Sequence, residues 1–210
     1  MRCSRFCSRI LHSAPAVVGD LKLMLEKVPN TRVGLRDRAL LLLGFAGAFR
    51  RSELVGLDVA DLEFARAGVI VTLRKSKTDQ AGKSRRLGIP FGSSEATCPV
   101  RSVQAWLESA HITEGPVFRS LDRFQRVQPA RLSDKAVALI VKRRAKAVGL
   151  DPARYAAHSL RAGLATSAAA AGASERVIMS QTGHRSADMV RRYIREGSLF
   201  QSNPAGMVGL

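Results

Sequence analysis

The chain has 210 residues, of which 46% are hydrophobic and 24% charged, and its 34 lysines and arginines against 17 acidic residues give a formal net charge of +17. These totals exclude a fibrous or disordered chain, and the longest apolar run, residues 39–49, is too short to span a membrane. The charge indicates a nucleic acid partner, and an aromatic content of only 5% favours duplex DNA, because single strands are held by stacking on aromatic rings.

Residues 1–19 are interpreted as an unpatterned basic leader. They hold no acidic residue and no apolar stretch long enough for a secretory signal, although their composition is also that of transit peptides. The three cysteines, Cys3, Cys7 and Cys98, are too few for a disulfide framework and favour a reducing compartment. Cys3 and Cys7 lie near His12, but no second pair of ligands follows, so we predict no metal site.

The first half of the chain is predicted to hold helices and then a hairpin. Asp20 can cap a short helix that ends before Pro29, and the apolar segment 35–49 has the pattern of a helix buried at a domain centre. Ser52 and Glu53 begin a further short helix. The β-branched segments 68–73 and 85–89 predict two strands, and the lysines and arginines between them predict a β-hairpin with a basic tip.

The remainder is predicted to be helical, with capping residues that set the ends of the helices. The predicted helices are 99–110, 133–148 with Ser133 as N-cap, 158–171, 174–181 and 186–194. The fold class is therefore mainly α with a small antiparallel β-sheet (α+β). No long linker divides the chain, so we expect one domain over 20–195 and a C-terminal tail over 196–210.

Four local patterns contain residues that could carry chemistry. Arg50 directly follows the buried helix, with Glu53 placed to orient it. The hairpin tip carries six cations: Arg74, Lys75, Lys77, Lys83, Arg85 and Arg86. His158 and Arg161 are three residues apart on one helical face, an arrangement that a shared anion would explain.

The fourth pattern is Gly183-His184, which Tyr193 follows nine residues after the histidine, with Arg191 and Arg192 beside it. Each pattern alone is more often structural: the end of a core helix, a solvated hairpin, a chance surface pair, a half-buried tyrosine. Taken in order, the four resemble the tyrosine recombinase (phage-type integrase) family, whose pattern is Arg, hairpin Lys, His-x-x-Arg, Gly-His and Tyr. The resemblance runs from about residue 20 to the C-terminus and implies the family's catalytic-domain fold.

The resemblance also implies roles for the basic residues. Arg50 and Arg161 would clamp the non-bridging oxygens of the scissile phosphate and stabilise the charge that grows on phosphorus. His158 and His184 would add hydrogen bonds, with His158 also a candidate for proton transfer. Further contacts to DNA are expected from Arg74, Lys75, Lys83, Arg85, Arg86, Arg185 and Arg191.

The implied chemistry is transesterification. Tyr193 would attack the phosphate and become joined to the DNA 3′ end, while Lys77 would protonate the departing 5′ hydroxyl. The scheme needs no cofactor and no metal. The nearest group of acids, Asp58, Asp61 and Glu63, is interpreted as caps and turn formers.

These roles predict the catalytic domain of a site-specific recombinase or integrase. It would act on double-stranded DNA as a homo-oligomer, a tetramer on DNA, with accessory DNA-bending proteins and no membrane. It would be cytoplasmic and nucleoid-associated, from a bacterium or phage. Most family members carry an amino-terminal DNA-binding domain, and only about 20 unpatterned residues precede the catalytic part here, so independent activity is a separate question.

Two alternatives stay open at this stage. Residues 174–194 resemble a helix-turn-helix, as in a non-catalytic DNA-binding remnant. A type IB topoisomerase shares the tyrosine chemistry and would relax DNA without a partner protomer.

Overall fold

The computed structural model describes residues 14–74, 84–156, 158–184 and 186–197. The helices are α1 (Val18–Glu26), α2 (Arg32–Ala46), α3 (Arg51–Gly56), α4 (Pro99–Ser109), α5 (Asp134–Ala147), α6 (Ser159–Ala170), α7 (Glu175–Thr182) and α8 (Ala187–Gly197). The strands are β1 (Leu62–Ala65), β2 (Gly68–Leu73), β3 (Arg85–Pro90), β4 (Arg119–Leu121) and β5 (Val127–Arg131). Three single-turn 3-10 helices complete the described elements: Val59–Asp61, Glu95–Thr97 and Pro152–Arg154. The predicted fold class is confirmed.

The small sheet is antiparallel, with strand order β1-β2-β3. The predicted hairpin partners, β2 and β3, pair from Gly68 opposite Pro90 to Leu73 opposite Arg85. Sequence analysis missed β1 and the β4–β5 hairpin. It also placed Glu63 in a turn, whereas Glu63 lies in β1 opposite Ile70.

Helix α2 is the centre of the fold, as its apolar sequence predicts. It packs against α3, α4, α5 and α6, and its leucines between 39 and 43 are almost wholly buried. At Gly44 a Cβ would lie 2.8 Å from a methyl carbon of Leu54 and 3.1 Å from one of Leu160, so a glycine here lets α3 and α6 approach α2. The helix begins earlier than predicted, at Arg32, because the Thr31 hydroxyl accepts a hydrogen bond from the Gly34 N–H.

Residues just before position 20 pack against the rest of the described fold. Ala16 is fully buried, and its N–H donates to the Ser159 carbonyl at 2.9 Å. Helix α1 starts at Val18, so Asp20 lies in its first turn and is not its cap. The Asp20 carboxylate instead accepts a hydrogen bond from the Tyr155 hydroxyl at 2.9 Å, which joins α1 to the segment before α6.

The last three helices form a separate apolar cluster. Alanines of α6 pack against Ile178 of α7 and Val190 of α8, and Tyr193 lies at the edge of this cluster. Across the described ranges, no helix is both long and apolar enough to cross a membrane.

Candidate active site

Arg50 is placed by the sharp turn that ends α2. Ala48 adopts a left-handed conformation (φ 47), which turns the chain toward α3 with Arg50 as the residue before its first turn. Glu53 holds Arg50 twice: one carboxylate oxygen accepts from the Arg50 backbone N–H at 2.8 Å, and the other accepts from Nη1 at 2.5 Å. The Glu53 carboxylate therefore orients this guanidinium.

Arg161 reaches the same turn from α6. It is buried, and its Nη1 donates to the Ala48 carbonyl at 2.7 Å. Its Nη2 is buried with no hydrogen-bond partner among the described residues. The pKa of Arg161 is lowered to about 10, chiefly by burial and then by the charge of Arg50; Arg85 also lowers it, whereas Glu53 and Tyr193 raise it. An unpartnered donor on a buried cation is an arrangement that a bound anion satisfies.

His184 follows α7, whose C-cap is Gly183 in the left-handed conformation (φ 65). The Thr182 hydroxyl donates to the Ile178 carbonyl at 2.8 Å, so it accepts from Nδ1–H of His184, also at 2.8 Å. This leaves Nε2 as the nitrogen that is open to a ligand. The pKa of His184 is lowered to about 4, chiefly by burial and also by the charges of Arg161, Arg50 and Arg85.

Tyr193 lies on α8 beside His184. The two ring centroids are 5.9 Å apart, with 36° between the ring planes. Because Tyr193 also acts on the pKa of Arg161, the four residues Tyr193, Arg50, Arg161 and His184 form one cluster. We call these four residues the catalytic cluster.

The other tyrosine has the wrong environment for a nucleophile. Tyr155 is buried and donates to Asp20. Its pKa is raised to about 12, chiefly by burial and then by the hydrogen bond and charge of Asp20, while the charge of Arg154 opposes the rise. Tyr155 is therefore a structural residue, which leaves Tyr193 as the tyrosine next to the cations.

The remaining predicted site residues are only partly placed. His158 is exposed at the N-cap of α6 and makes no capping hydrogen bond. Lys75, Lys77, Lys83 and Arg185 lie outside the described residues. The hairpin lysine and the His158 contact to phosphate therefore stay predictions.

The predicted DNA-contact arginines fall into two groups. Arg74 is paired with Asp61 at 2.6 Å and with Asp58 at 3.2 Å, Arg86 with Glu63 at 2.8 Å, and Arg191 with Glu175 at 3.1 Å. Arg85 instead lies against Gly183 at the catalytic cluster. Sequence reasoning did not separate it from its neighbours. The signal was strand alternation, since Arg85 shares a face with the buried Leu87 and Ile89.

Acidic side chains in the described part of the chain form no metal-binding group with histidine or cysteine. Asp58 and Asp61 are occupied by arginines and by the start of a 3-10 helix, where the Asp58 N–H donates to Asp61 at 2.9 Å. Their carboxylates therefore act as caps and ion-pair partners.

The pKa of His184 predicts that acid destabilises the protein. An unfolded histidine titrates near pH 6.5, whereas folded His184 titrates near 4. Between these values only the unfolded chain binds the proton, so the His184 contribution is complete above pH 6.5 and is lost as the pH falls toward 4. The free energy of unfolding falls by at most about 3 kcal/mol through His184, and solvent screening of this partly exposed ring reduces that value.

Urea denaturation at about pH 7 and about pH 5 measures this contribution, with His184→Gln as the comparison. The variant is expected to lose less stability than the wild type over this interval, because it lacks the titrating ring. Equal losses in the two proteins would contradict the assignment.

Comparison with known proteins supplies the family. The profile of the phage integrase family matches residues 19–198. The chain belongs to the phage integrase family. An integrase/recombinase xerD homolog of Selenomonas ruminantium is 45% identical over 191 residues, which are 90% of this chain and 56% of that protein. A tyrosine recombinase XerC of Pelotomaculum thermopropionicum is 31% identical over 166 residues, 76% of this chain and 50% of that protein. The chain thus spans about half the length of these curated relatives.

Solved structures of recombinases show the same fold. The XerH site-specific recombinase, bound to palindromic difH substrate in a post-cleavage complex, matches 93% of this chain and 52% of its own with a TM-score of 0.71 at 17% identity. The XerA recombinase matches 99% of this chain and 64% of its own with a TM-score of 0.66 at 18% identity. The predicted recombinase catalytic-domain fold is therefore confirmed.

Proposed function

We propose that this phage integrase family member cleaves and rejoins duplex DNA at specific sites through a covalent bond between Tyr193 and the DNA 3′ phosphate. The observation that carries the proposal is the buried Nη2 of Arg161, which meets no partner in the described ranges and lies in a cluster that also holds Arg50, His184 and Tyr193. In this fold several cations lie beside a tyrosine. A phosphodiester that binds these cations would lie next to the tyrosine oxygen, which could then attack phosphorus.

The reaction breaks one ester bond and forms another. The Tyr193 oxygen bonds to phosphorus, the bond from phosphorus to the 5′ oxygen breaks, and the phenolic proton passes to water. The 5′ oxygen takes up a proton, for which Lys77 is the donor that the family resemblance implies. A free 5′ hydroxyl can later attack the phosphotyrosine, which restores the DNA backbone and the tyrosine.

The arginines stabilise the charge of the transition state. Arg50 is fixed by Glu53 and Arg161 by the Ala48 carbonyl, so neither guanidinium must reorganise when charge develops on phosphorus. His184 has its Nε2 lone pair available in the free protein. A phosphate that offsets the arginine charges raises the pKa of His184, so that the imidazole takes up a proton and donates from Nε2.

Site choice and strand exchange are part of the same proposal. Relatives from bacteria are named as Xer recombinases, and the XerH structure holds its difH substrate. We expect this chain to bind duplex DNA, to assemble as a tetramer on it and to be helped by DNA-bending proteins. The formal charge of +17 supports the DNA contact, and binding should weaken steeply as salt rises.

The proposal is tested by trapping the covalent intermediate. The full chain is incubated with duplexes made from the DNA that flanks its gene. Each duplex carries a nick in the strand to be cleaved, close to the scissile phosphate. The short fragment released by cleavage then diffuses away, and its loss prevents rejoining. A slow-migrating adduct on a denaturing gel is expected, and mass spectrometry of its peptides should place the nucleotide on Tyr193. An adduct on another residue, or salt-sensitive binding with no adduct, would overturn the proposed chemistry. Relaxation of a supercoiled plasmid that lacks any target site would assign a topoisomerase activity instead of site-specific recombination.

A further inference from the structure

Arg85 faces the catalytic cluster, whereas its neighbour Arg86 faces away. Arg85 is the first residue of β3, opposite Leu73 of β2, and it is half-buried. Arg86 is exposed and forms an ion pair with Glu63 on the outer strand at 2.8 Å. The alternation of the strand thus gives the two arginines different surroundings, although they are adjacent and chemically identical.

The guanidinium of Arg85 lies directly on the backbone of Gly183. A Cβ on Gly183 would be 1.7 Å from Nη1 and 2.7 Å from the central carbon of this guanidinium. Any other residue at 183 would therefore displace Arg85. Gly183 also supplies the left-handed C-cap of α7, so the glycine before His184 serves the turn and the approach of Arg85 together.

Arg85 resembles Arg161 in being a cation with unsatisfied donors. Its Nη2 is buried and has no hydrogen-bond partner among the described residues, and no ion pair of Arg85 is found there either. Burial lowers its pKa, the charge of Glu53 raises it, and the charge of Arg50 lowers it. Arg85 in turn lowers the pKa of both Arg161 and His184. It therefore belongs electrostatically to the catalytic cluster.

The charge of the cluster shows what it can hold. Arg50, Arg85 and Arg161 carry three positive charges, and Glu53 is the carboxylate that acts on all three. A phosphodiester carries a single negative charge, and its pentacoordinate transition state gains a second one. Among the arginines and Glu53 alone, two positive charges remain when Arg85 is present, which match the two negative charges of the transition state; without Arg85 one remains, which matches the ground state.

We propose that Arg85 is a third guanidinium ligand of the scissile phosphate, and that Gly183 lacks a side chain so that Arg85 can occupy this position. The proposal rests on the proposed function, since it assigns a further residue to that reaction. Its consequence is that Arg85 stabilises the transition state more than it strengthens DNA binding.

The first test compares Arg85→Ala with Arg66→Ala on the nicked duplex; Arg66 is an exposed arginine of the turn between β1 and β2. At saturating protein, Arg85→Ala is expected to slow adduct formation by roughly 100-fold, the effect of losing one charged donor to a developing oxyanion. Arg66→Ala should leave this rate nearly unchanged. The thermal midpoint of Arg85→Ala should not fall, because the change removes a half-buried cation whose Nη2 has no hydrogen-bond partner in the described part of the chain. A rate for Arg85→Ala within about threefold of wild type would overturn the proposal.

The second test asks which phosphate Arg85 touches. A methylphosphonate at the scissile position has no negative charge, so a variant that lacks a cation for this phosphate should recover relative to wild type. The rate defect of Arg85→Ala is expected to shrink at least about tenfold on this substrate. An equal defect on both substrates would place Arg85 on a flanking phosphate and overturn the assignment.

The third test asks whether Gly183 acts through Arg85. Gly183→Ala should slow adduct formation in the wild-type background and add little in the Arg85→Ala background, because the guanidinium that it displaces is already absent. Additive effects would show that the glycine serves the turn alone and would overturn the second half of the proposal.

Wild-type protein is run in all three tests. If the wild type forms no adduct, the proposed function fails. If the wild type forms an adduct and Arg85→Ala forms it at nearly the same rate, only the present inference fails.

Discussion

Replacing Tyr193 with phenylalanine is expected to abolish the covalent protein–DNA adduct while DNA binding persists. The change removes only the phenolic oxygen, so the ring keeps its contacts with the apolar cluster of α6, α7 and α8. Arg50 and Arg161 can still bind the phosphate, but no oxygen is left to attack it. The loss should therefore reach the detection limit of a denaturing gel, while a gel-shift assay in parallel shows nearly unchanged affinity.

The matched control is Tyr155→Phe, which removes the only other tyrosine oxygen of the chain. This variant loses the hydrogen bond to Asp20 and should be less stable by about 1 kcal/mol. Its adduct should form at the wild-type rate wherever it is folded. An adduct that persists in Tyr193→Phe, or one that disappears in folded Tyr155→Phe, would show that the nucleophile is not Tyr193.

The elements that local residues determine could be predicted from the sequence. Ser133 accepts a hydrogen bond from the Ala136 N–H as the N-cap of α5, and Ser174 does the same for Val177 at the start of α7. The left-handed Gly183 ends α7 as its position suggested. The order of the motifs indicated the family because each residue type carries a separate part of the reaction.

The features that distant contacts determine could not be predicted. Ala48 has a positive φ although alanine gives no signal for it, and its carbonyl is the partner of Arg161, more than a hundred residues away in the chain. Strand β5 contains Pro129 and β4 has only three residues, so neither shows a usable alternation. Thr182, which orients His184, was missed because nothing in its local sequence separates it from a helix-terminal threonine.

The arginines of this chain differ in whether they form an ion pair with a carboxylate. Arg74, Arg86, Arg131 and Arg191 each form an ion pair in the described structure. Arg161 and Arg85 instead keep a buried nitrogen without a partner. A buried guanidinium nitrogen without a partner among the described residues destabilises a fold, so the two beside Tyr193 support the proposed phosphate site. Composition alone shows the excess of arginine, but it does not show which arginines form ion pairs and which do not.

The largest stability effect is expected at Asp37, which is completely buried in α2. One of its oxygens accepts from Arg36 at 2.8 Å, and the other accepts from Arg143 at 2.7 Å and from Arg144 at 2.5 Å. Arg36 and Arg144 are themselves buried. Asp37→Asn keeps the shape of the side chain but leaves two buried guanidiniums without a counter-charge, so the free energy of unfolding should fall by about 3–5 kcal/mol.

Arg143→Gln is the control from the same group, because the Arg143 side chain is 54% exposed. Its loss should cost less than about 1 kcal/mol, since water solvates the remaining charges. Urea denaturation of the three proteins measures both values. A cost below about 1 kcal/mol for Asp37→Asn would show that the two arginines find other partners. A large cost should also reduce adduct formation on warming, because Asp37 joins α2 to α5 and the turn that places Arg50 begins where α2 ends.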